Sequence, residues 1–123
     1  MAHQEIPANV RECIDNCTSC HAICIETLSH CLAVGDKHAA SEHIRLLQDC
    51  AQICTTSADF MLRISEYHPQ TCGVCADLCE ACADSCESMA EGDELMQQCA
   101  DICRKCAESC RSMAGKSSAS ASV

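Results

Sequence analysis

Cysteines and small apolar residues recur along this chain at steps of three and four, with acidic and polar residues filling the positions between. That spacing is the period of an amphipathic helix. Turn signals divide the pattern into four segments. The first runs from about Pro7, which suits the first turn of a helix, to Val34, with Gly35 as its stop. A turn over 36–41 offers Asp36 or Ser41 as cap for the second segment, which continues to about Glu66 before Tyr67-His68-Pro69 ends it. The third runs from about Gln70 to Ala90 and closes at Gly92. Asp93 caps the fourth, which extends to Ala114, before Gly115. No segment alternates with period two, and β-branched residues are sparse, so strands are not expected. Connections this short pack successive helices antiparallel. The expected fold is all-α: an up-down-up-down four-helix bundle with a cysteine-lined core over residues 7–115, followed by a disordered Ser/Ala-rich tail at 116–123. A weak internal repeat agrees, since the run from Cys13 to Cys24 is echoed from Cys72 to Cys86 and from Cys99 to Cys110.

The apolar faces of these helices are unusual because cysteine occupies them. The first helix carries Cys13, Cys17, Cys20, Cys24 and Cys31; the second carries Cys50 and Cys54, with His43 seven residues before and Met61 seven after. The third carries Cys72, Cys75, Cys79, Cys82 and Cys86, then Met89. The fourth carries Cys99, Cys103, Cys106 and Cys110, flanked by Met96 and Met113. Steps of three and four place side chains on one helix face, so each cysteine set forms a seam at positions normally held by Leu or Ile. Asp77 and Asp84 fall on the opposite face of the third helix. Leu46, Ile53 and Phe60 make a separate seven-spaced stripe on the second, a candidate helix or subunit contact.

Composition sharpens the question of what fills the core. The chain has 123 residues, enough for one modest domain, and contains 16 Cys but no Trp, one Tyr and one Phe. Sixteen small thiols facing one another would leave voids, and voids are costly. A disulfide scaffold needs a secretory context, yet 1–11 is polar and has no apolar signal region. No stretch approaches a membrane span. The expectation is a cytoplasmic protein with reduced thiols that bind metal. The net charge of −10 disfavours nucleic acid and anionic membranes as partners and favours cations.

Soft thiolates at low coordination number select Cu(I). Zinc is disfavoured by charge: about four tetrahedral Zn²⁺ on sixteen thiolates would leave roughly −8 inside the bundle. Cu(I) bridged by thiolates approaches one ion per sulfur and near-neutrality. The C-x-x-C pairs (Cys17/Cys20, Cys72/Cys75, Cys79/Cys82, Cys103/Cys106) lack the βαβ context of redox dithiols and the order of ferredoxin cluster runs. The alternatives that stay open are an iron–sulfur or redox electron carrier, and a zinc-bound structural module or general thiol sink. No nucleophile–base pair points to an enzyme. All sixteen cysteines are candidate ligands, joined by His43, Met89 and Met96. In an up-down bundle these three gather with Cys31, Cys86 and Cys99 at one end, a candidate uptake mouth. Met61 and Met113 fall at the other end with Cys13, Cys72 and Cys110, and their roles, like that of His38, are left open.

These seams, together with His43-Ile-Arg-Leu followed by Asp49-Cys50-Ala-Gln-Ile-Cys54, and Cys99-Ala-Asp-Ile-Cys103-Arg-Lys-Cys106, resemble those of the bacterial cytosolic copper storage proteins over residues 8–114. The resemblance implies a homotetramer of Cys-lined bundles that stores multiple Cu(I) ions per chain by thiolate bridging, and a copper chaperone as a possible partner. Position 43 departs from relatives expected to carry Cys there. With two Cys on the second helix, the capacity is in question.

Overall fold

The computed structural model describes residues 5–121, with side chains through Gly115. Four helices account for nearly all of it: α1 (Ala8–Val34), α2 (Ser41–Leu62), α3 (His68–Met89) and α4 (Glu94–Ala121), with a 3-10 turn at Asp36–Ala39 between the first two. Each helix packs on its neighbour in sequence, and α1 closes against α4, giving the expected four-sided bundle. The two ends are therefore defined by topology. One gathers the C-termini of α1 and α3 with the N-termini of α2 and α4, and the other gathers the reverse.

Several ends agree with the expected signals. Pro7 caps α1, and Gly35 stops it at φ +81 with its N–H donating to the Cys31 carbonyl at 3.0 Å. Asp93 caps α4, its Oδ1 accepting from the Met96 N–H at 3.1 Å. Because a Cβ at Gly35 would meet nothing within 4 Å, only backbone strain opposes a side chain there. Gly35→Ala is expected to cost about 1–2 kcal/mol, measured by urea unfolding of the reduced apoprotein.

Other boundaries differ from the expectation, each for a local reason. Helix α2 ends at Leu62 rather than near Glu66, because Ile64 turns left-handed at φ +55. Pro69 opens α3 instead of closing α2, since a missing N–H is harmless in a first turn. Neither Asp36 nor Ser41 caps α2; Ala40 holds that place without a side-chain bond. Helix α4 runs through Gly115 to Ala121 because that glycine does not adopt the positive φ that makes Gly35 and Gly92 stops. The side chains of 116–123, where disorder was expected, lie outside the described residues.

Alanine sets how closely α3 and α4 approach. Ala76 and Ala83 on one helix and Ala100 and Ala107 on the other are buried, and a Cβ at Gly73 would lie 3.6 Å from that of Ala114. The rim of this pair is laced by exposed ion pairs. Arg104 reaches Asp84 at 3.0 Å and Glu87 at 2.9 Å, and Arg111 reaches Asp77 and Glu80, each at 2.8 Å. Such pairs add only tenths of a kcal/mol, roughly 0.2–1 each, so the close helix packing carries more of the alignment.

Candidate metal centre

All sixteen cysteines are fully buried, and none is in a disulfide. The periodicity explains why each faces inward, and the scarcity of large side chains explains why nothing stands between them. The largest buried neighbours are Leu47, Met61, Met96, His43 and Thr27. The result is a column of sulfur along the bundle axis.

The column is continuous because neighbouring four-sulfur groups share members. Cys17, Cys75, Cys106 and Cys110 form one group whose sulfurs all lie within 4.8 Å of one another. Its Cys75 and Cys106 recur in the next group, with Cys54 and Cys79. Those two recur with Cys20 and Cys50, these with Cys24 and Cys103, and the last pair with Cys82 and Cys99. Five groups thus interlock by pairs of shared thiols, and every step draws on more than one helix. Individual sulfurs approach closely: Cys17 to Cys110 at 3.5 Å, Cys50 to Cys79 at 3.6 Å, Cys54 to Cys75 at 3.7 Å.

These separations identify the coordination the column can offer. Taking the zinc–thiolate length of about 2.3 Å as a guide, a linear S–metal–S unit spans about 4.6 Å and a trigonal one about 4.0 Å between sulfurs. The C-x-x-x-C pairs Cys75/Cys79, Cys99/Cys103 and Cys106/Cys110 lie at 3.8, 3.9 and 4.0 Å, which matches the trigonal spacing better than the linear one. Within these five groups no C-x-x-C pair appears together. Cys17/Cys20, Cys79/Cys82 and Cys103/Cys106 are each divided between different groups.

Burial and crowding hold protons on much of the column, while contact with Cys103 lowers the pKa of Cys50 and Cys99 and contact with Cys110 lowers that of Cys106. The Cys31 thiol is pushed up to about 11, first by burial and then by the Asp93 carboxylate. Cys72 is pushed up to about 12; contact with Cys110 works against the rise, but contact with Cys13 and burial outweigh it. Cys24 and Cys54 are raised by the hydrogen bonds they share with Cys103 and Cys106, and by burial. A metal ion entering such a core therefore displaces protons.

At one end the column finishes beside an imidazole nitrogen and a thioether sulfur. The Cys31 sulfur lies 3.4 Å from His43 Nε2 and 3.4 Å from the Met96 sulfur, with all three side chains buried. His43 Nδ1 lies 2.7 Å from Ser85 Oγ. In the tautomer whose Nδ1–H donates to Ser85, the Nε2 lone pair faces Cys31. Burial lowers the His43 pKa and keeps the ring neutral, as a ligand must be. Met89 stands further out, lining a groove of about 450 Å³ with His43, Ser85 and Leu46. His38 Nδ1 is buried with no hydrogen-bond partner among the described residues. Asp93, which caps α4 beneath Met96, also holds His30 Nε2 at 2.6 Å and so ties α1 to this end.

Between that end and the column, α1 and α2 contribute Thr27 and Leu47, both fully buried, where their seams skip a cysteine. Beside this gap Cys99 lies 4.0 Å from Cys24, and Cys86 hydrogen-bonds to Cys82 and Cys99. The opposite end holds Cys13 and Cys110 at 3.6 Å, with Met61 and Met113 buried beside the core. Here Ser57 Oγ donates to the Cys72 sulfur at 3.4 Å, and His68 Nδ1 lies 3.9 Å from that sulfur. Nothing in the sequence singles out Ser57 or Ser85. His68 does carry a sequence signal, since it stands four residues before Cys72.

Known proteins resemble this chain in sequence and in fold. An uncharacterized cysteine-rich protein of Bacillus subtilis (strain 168), YhjQ, is 38% identical over 66 residues, which span 54% of this chain and 61% of that relative's length. Among solved structures, the Nmul_A1745 protein of Nitrosospira multiformis superposes with a TM-score of 0.81 at 47% identity, over 87% of this chain and 95% of the other. A Cu(I)-bound copper storage protein, BsCsp3, superposes at 0.79 and 37% identity, over 86% and 98%. A cytosolic copper storage protein from Streptomyces lividans, holding five coppers, does so at 0.78 and 29%, over 87% and 92%. The family model for copper storage proteins spans residues 6–115, which takes in α1, α2, α3, most of α4 and the whole sulfur column, and the chain belongs to that family.

Proposed function

We propose that this chain stores Cu(I), taking up many ions per molecule into the sulfur column and giving them back by ligand exchange, with no other chemistry. The observation that carries this reading is the sharing of thiols between successive groups. A bridging thiolate serves two ions at once, so capacity approaches one ion per sulfur and the filled core approaches neutrality. Each ion that binds a thiol forms a sulfur–copper bond and releases that thiol's proton, so uptake weakens in acid.

In this reading all sixteen cysteines are ligands, and His43 with Met96 and Cys31 receives ions at the end where Met89 lines the approach. Imidazole and thioether hold Cu(I) less tightly than thiolates, which favours hand-on inward. The half-buried stripe of Leu46, Ile53 and Phe60 supports assembly into a homo-oligomer, a tetramer by family resemblance. Among the described residues no helix is long and apolar enough to cross a membrane. Free thiols in this number stay reduced in a reducing compartment, which supports residence in the cytosol, like that of the Streptomyces lividans relative. A copper chaperone is the natural donor and acceptor.

Anaerobic titration of the reduced apoprotein with Cu(I), against a competing chromophoric chelator, tests the proposal. Binding of about 14–20 ions per chain is expected, because only bridged Cu(I) reaches that ratio. Saturation at about four would instead indicate tetrahedral zinc-type sites.

A further inference from the structure

We propose that the bundle has a second Cu(I) port, at the end opposite His43, formed by His68, Cys72 and Met61. The inference rests on the storage reading and adds a ligand and a route to it.

Three observations meet at this end. His68 Nδ1 lies 3.9 Å from the Cys72 sulfur, one helical turn apart on the same face of α3. Taking zinc bond lengths of about 2.0–2.1 Å to nitrogen and 2.3 Å to sulfur as a guide, an ion joining these atoms subtends an angle of roughly 125–130°, close to trigonal. A third donor is therefore called for. Met61 answers it: its side chain is 1% exposed and lines, together with His68, a cavity of about 150 Å³ walled by Ile6, Pro7, Val10 and Ile64. The imidazole–thiolate–thioether set at one end, Cys31 with His43 and Met96, is thus matched in kind at the other.

The position also provides a path. His68 is only half buried, whereas Cys72 is fully buried, so the ring spans from the surface to the first sulfur of the column. Behind Cys72 stand Cys13 and Cys110, 3.6 Å apart, and Cys110 lies 3.5 Å from Cys17. Ser57 Oγ donates to the Cys72 sulfur and steadies its thiolate. The wall is strained as well. Ile64 is a β-branched residue at φ +55, a conformation such residues rarely adopt, and it holds its side chain over this cavity. Copper entering here binds as Cu(I) throughout. It forms a bond to the Cys72 sulfur as that thiol's proton leaves to solvent, and no electron is transferred.

The test uses the full chain, with Cu(I) as the only metal, in four forms: wild type, His43→Ala, His68→Ala and the double variant. Two quantities are read anaerobically: ions bound per chain, and the rate at which excess chromophoric chelator withdraws copper from the filled protein. With two ports, His68→Ala binds about one ion fewer, each single variant slows withdrawal about twofold, and the double variant slows it at least about tenfold, the scale on which lost metal-site groups act. His68→Gln, which keeps the size and removes the nitrogen ligand, should behave as His68→Ala, and unchanged helicity of both apoproteins excludes a folding defect. Undiminished capacity in His68→Ala overturns the site. A double variant no slower than His43→Ala overturns the port, whether or not an ion is lost. If the wild type itself saturates at about four ions, the storage reading fails first, and the port falls with it.

Discussion

Filling the bundle with Cu(I) is expected to raise its thermal midpoint by more than about 20 °C over the reduced apoprotein, because ligands that bind only the folded state add their free energies to its stability. One ion at a hundred times its dissociation constant contributes about 2.7 kcal/mol. Four or five such ions exceed about 10 kcal/mol, comparable with the whole stability of an ordinary domain. At about 2–8 °C per kcal/mol for domains of this size range, the shift passes 20 °C. The apoprotein has little to set against this, since its core is mostly thiol and alanine, with Leu47 the one buried leucine among the described residues. Two of its thiols, Cys31 and Cys72, give it a pH-dependent contribution of definite sign. Cys31 at about 11 and Cys72 at about 12 keep their protons in the folded state beyond the ordinary thiol value of 9.0. Between pH 9 and the folded values these two thiols lose protons in the unfolded chain that they retain in the folded one, so their contribution to stability is fully present below pH 9 and declines as pH rises above it. Differential scanning calorimetry of apo and filled protein at pH 7.5 and pH 10 checks both statements. The apo midpoint should fall at the higher pH and the filled one should not. A filled midpoint within a few degrees of the apo value would mean that copper does not tie the helices together.

Removing one layer of the column should remove far more than one ion. Cys20, Cys50, Cys54 and Cys79 form a group drawn from α1, α2 and α3, and each of them belongs also to an adjoining group. With all four replaced by alanine, a bridged store loses about four to six ions per chain, because the sulfurs above and below lose the partners they bridged to. A set of independent tetrahedral sites would lose one. The difference is well outside the error of a chelator titration. The apo variant is expected to be less stable by a few kcal/mol, about one for each small cavity, so circular dichroism of the apoprotein belongs beside the titration. Loss of a single ion would show that the thiols act in closed groups and that their overlap in space has no role in capacity.

The residues themselves made much of this legible. Steps of three and four assign Cys13 through Cys31, and the seams of α3 and α4, to one face each, because side-chain direction in a helix is a local property of φ and ψ. Gly35 as a stop and Asp93 as a cap follow from equally local chemistry, which is why both are found where the sequence puts them. Pro69 shows the limit of such signals. A proline reads as a boundary, but whether it ends one helix or begins the next depends on the turn before it, here the left-handed Ile64. The assignment of Cys31, His43 and Met96 to one end needed only up-down topology, so it too was within reach of the sequence.

What the sequence by itself determined, then, is that four helices turn their sulfurs inward, and which end each occupies. Only the tertiary structure decided which sulfurs meet. The pairing of Cys20 with Cys50, Cys79 and Cys103 depends on the rotation and axial offset of four helices, and the buried alanines of α3 and α4 help to set the approach of that pair. The same holds for Ser85 against His43, Ser57 against Cys72, and the cavity that joins His68 to Met61. The physical reason is range: periodicity fixes a direction along one helix within a turn or two, whereas a contact between helices is settled by packing over their whole length.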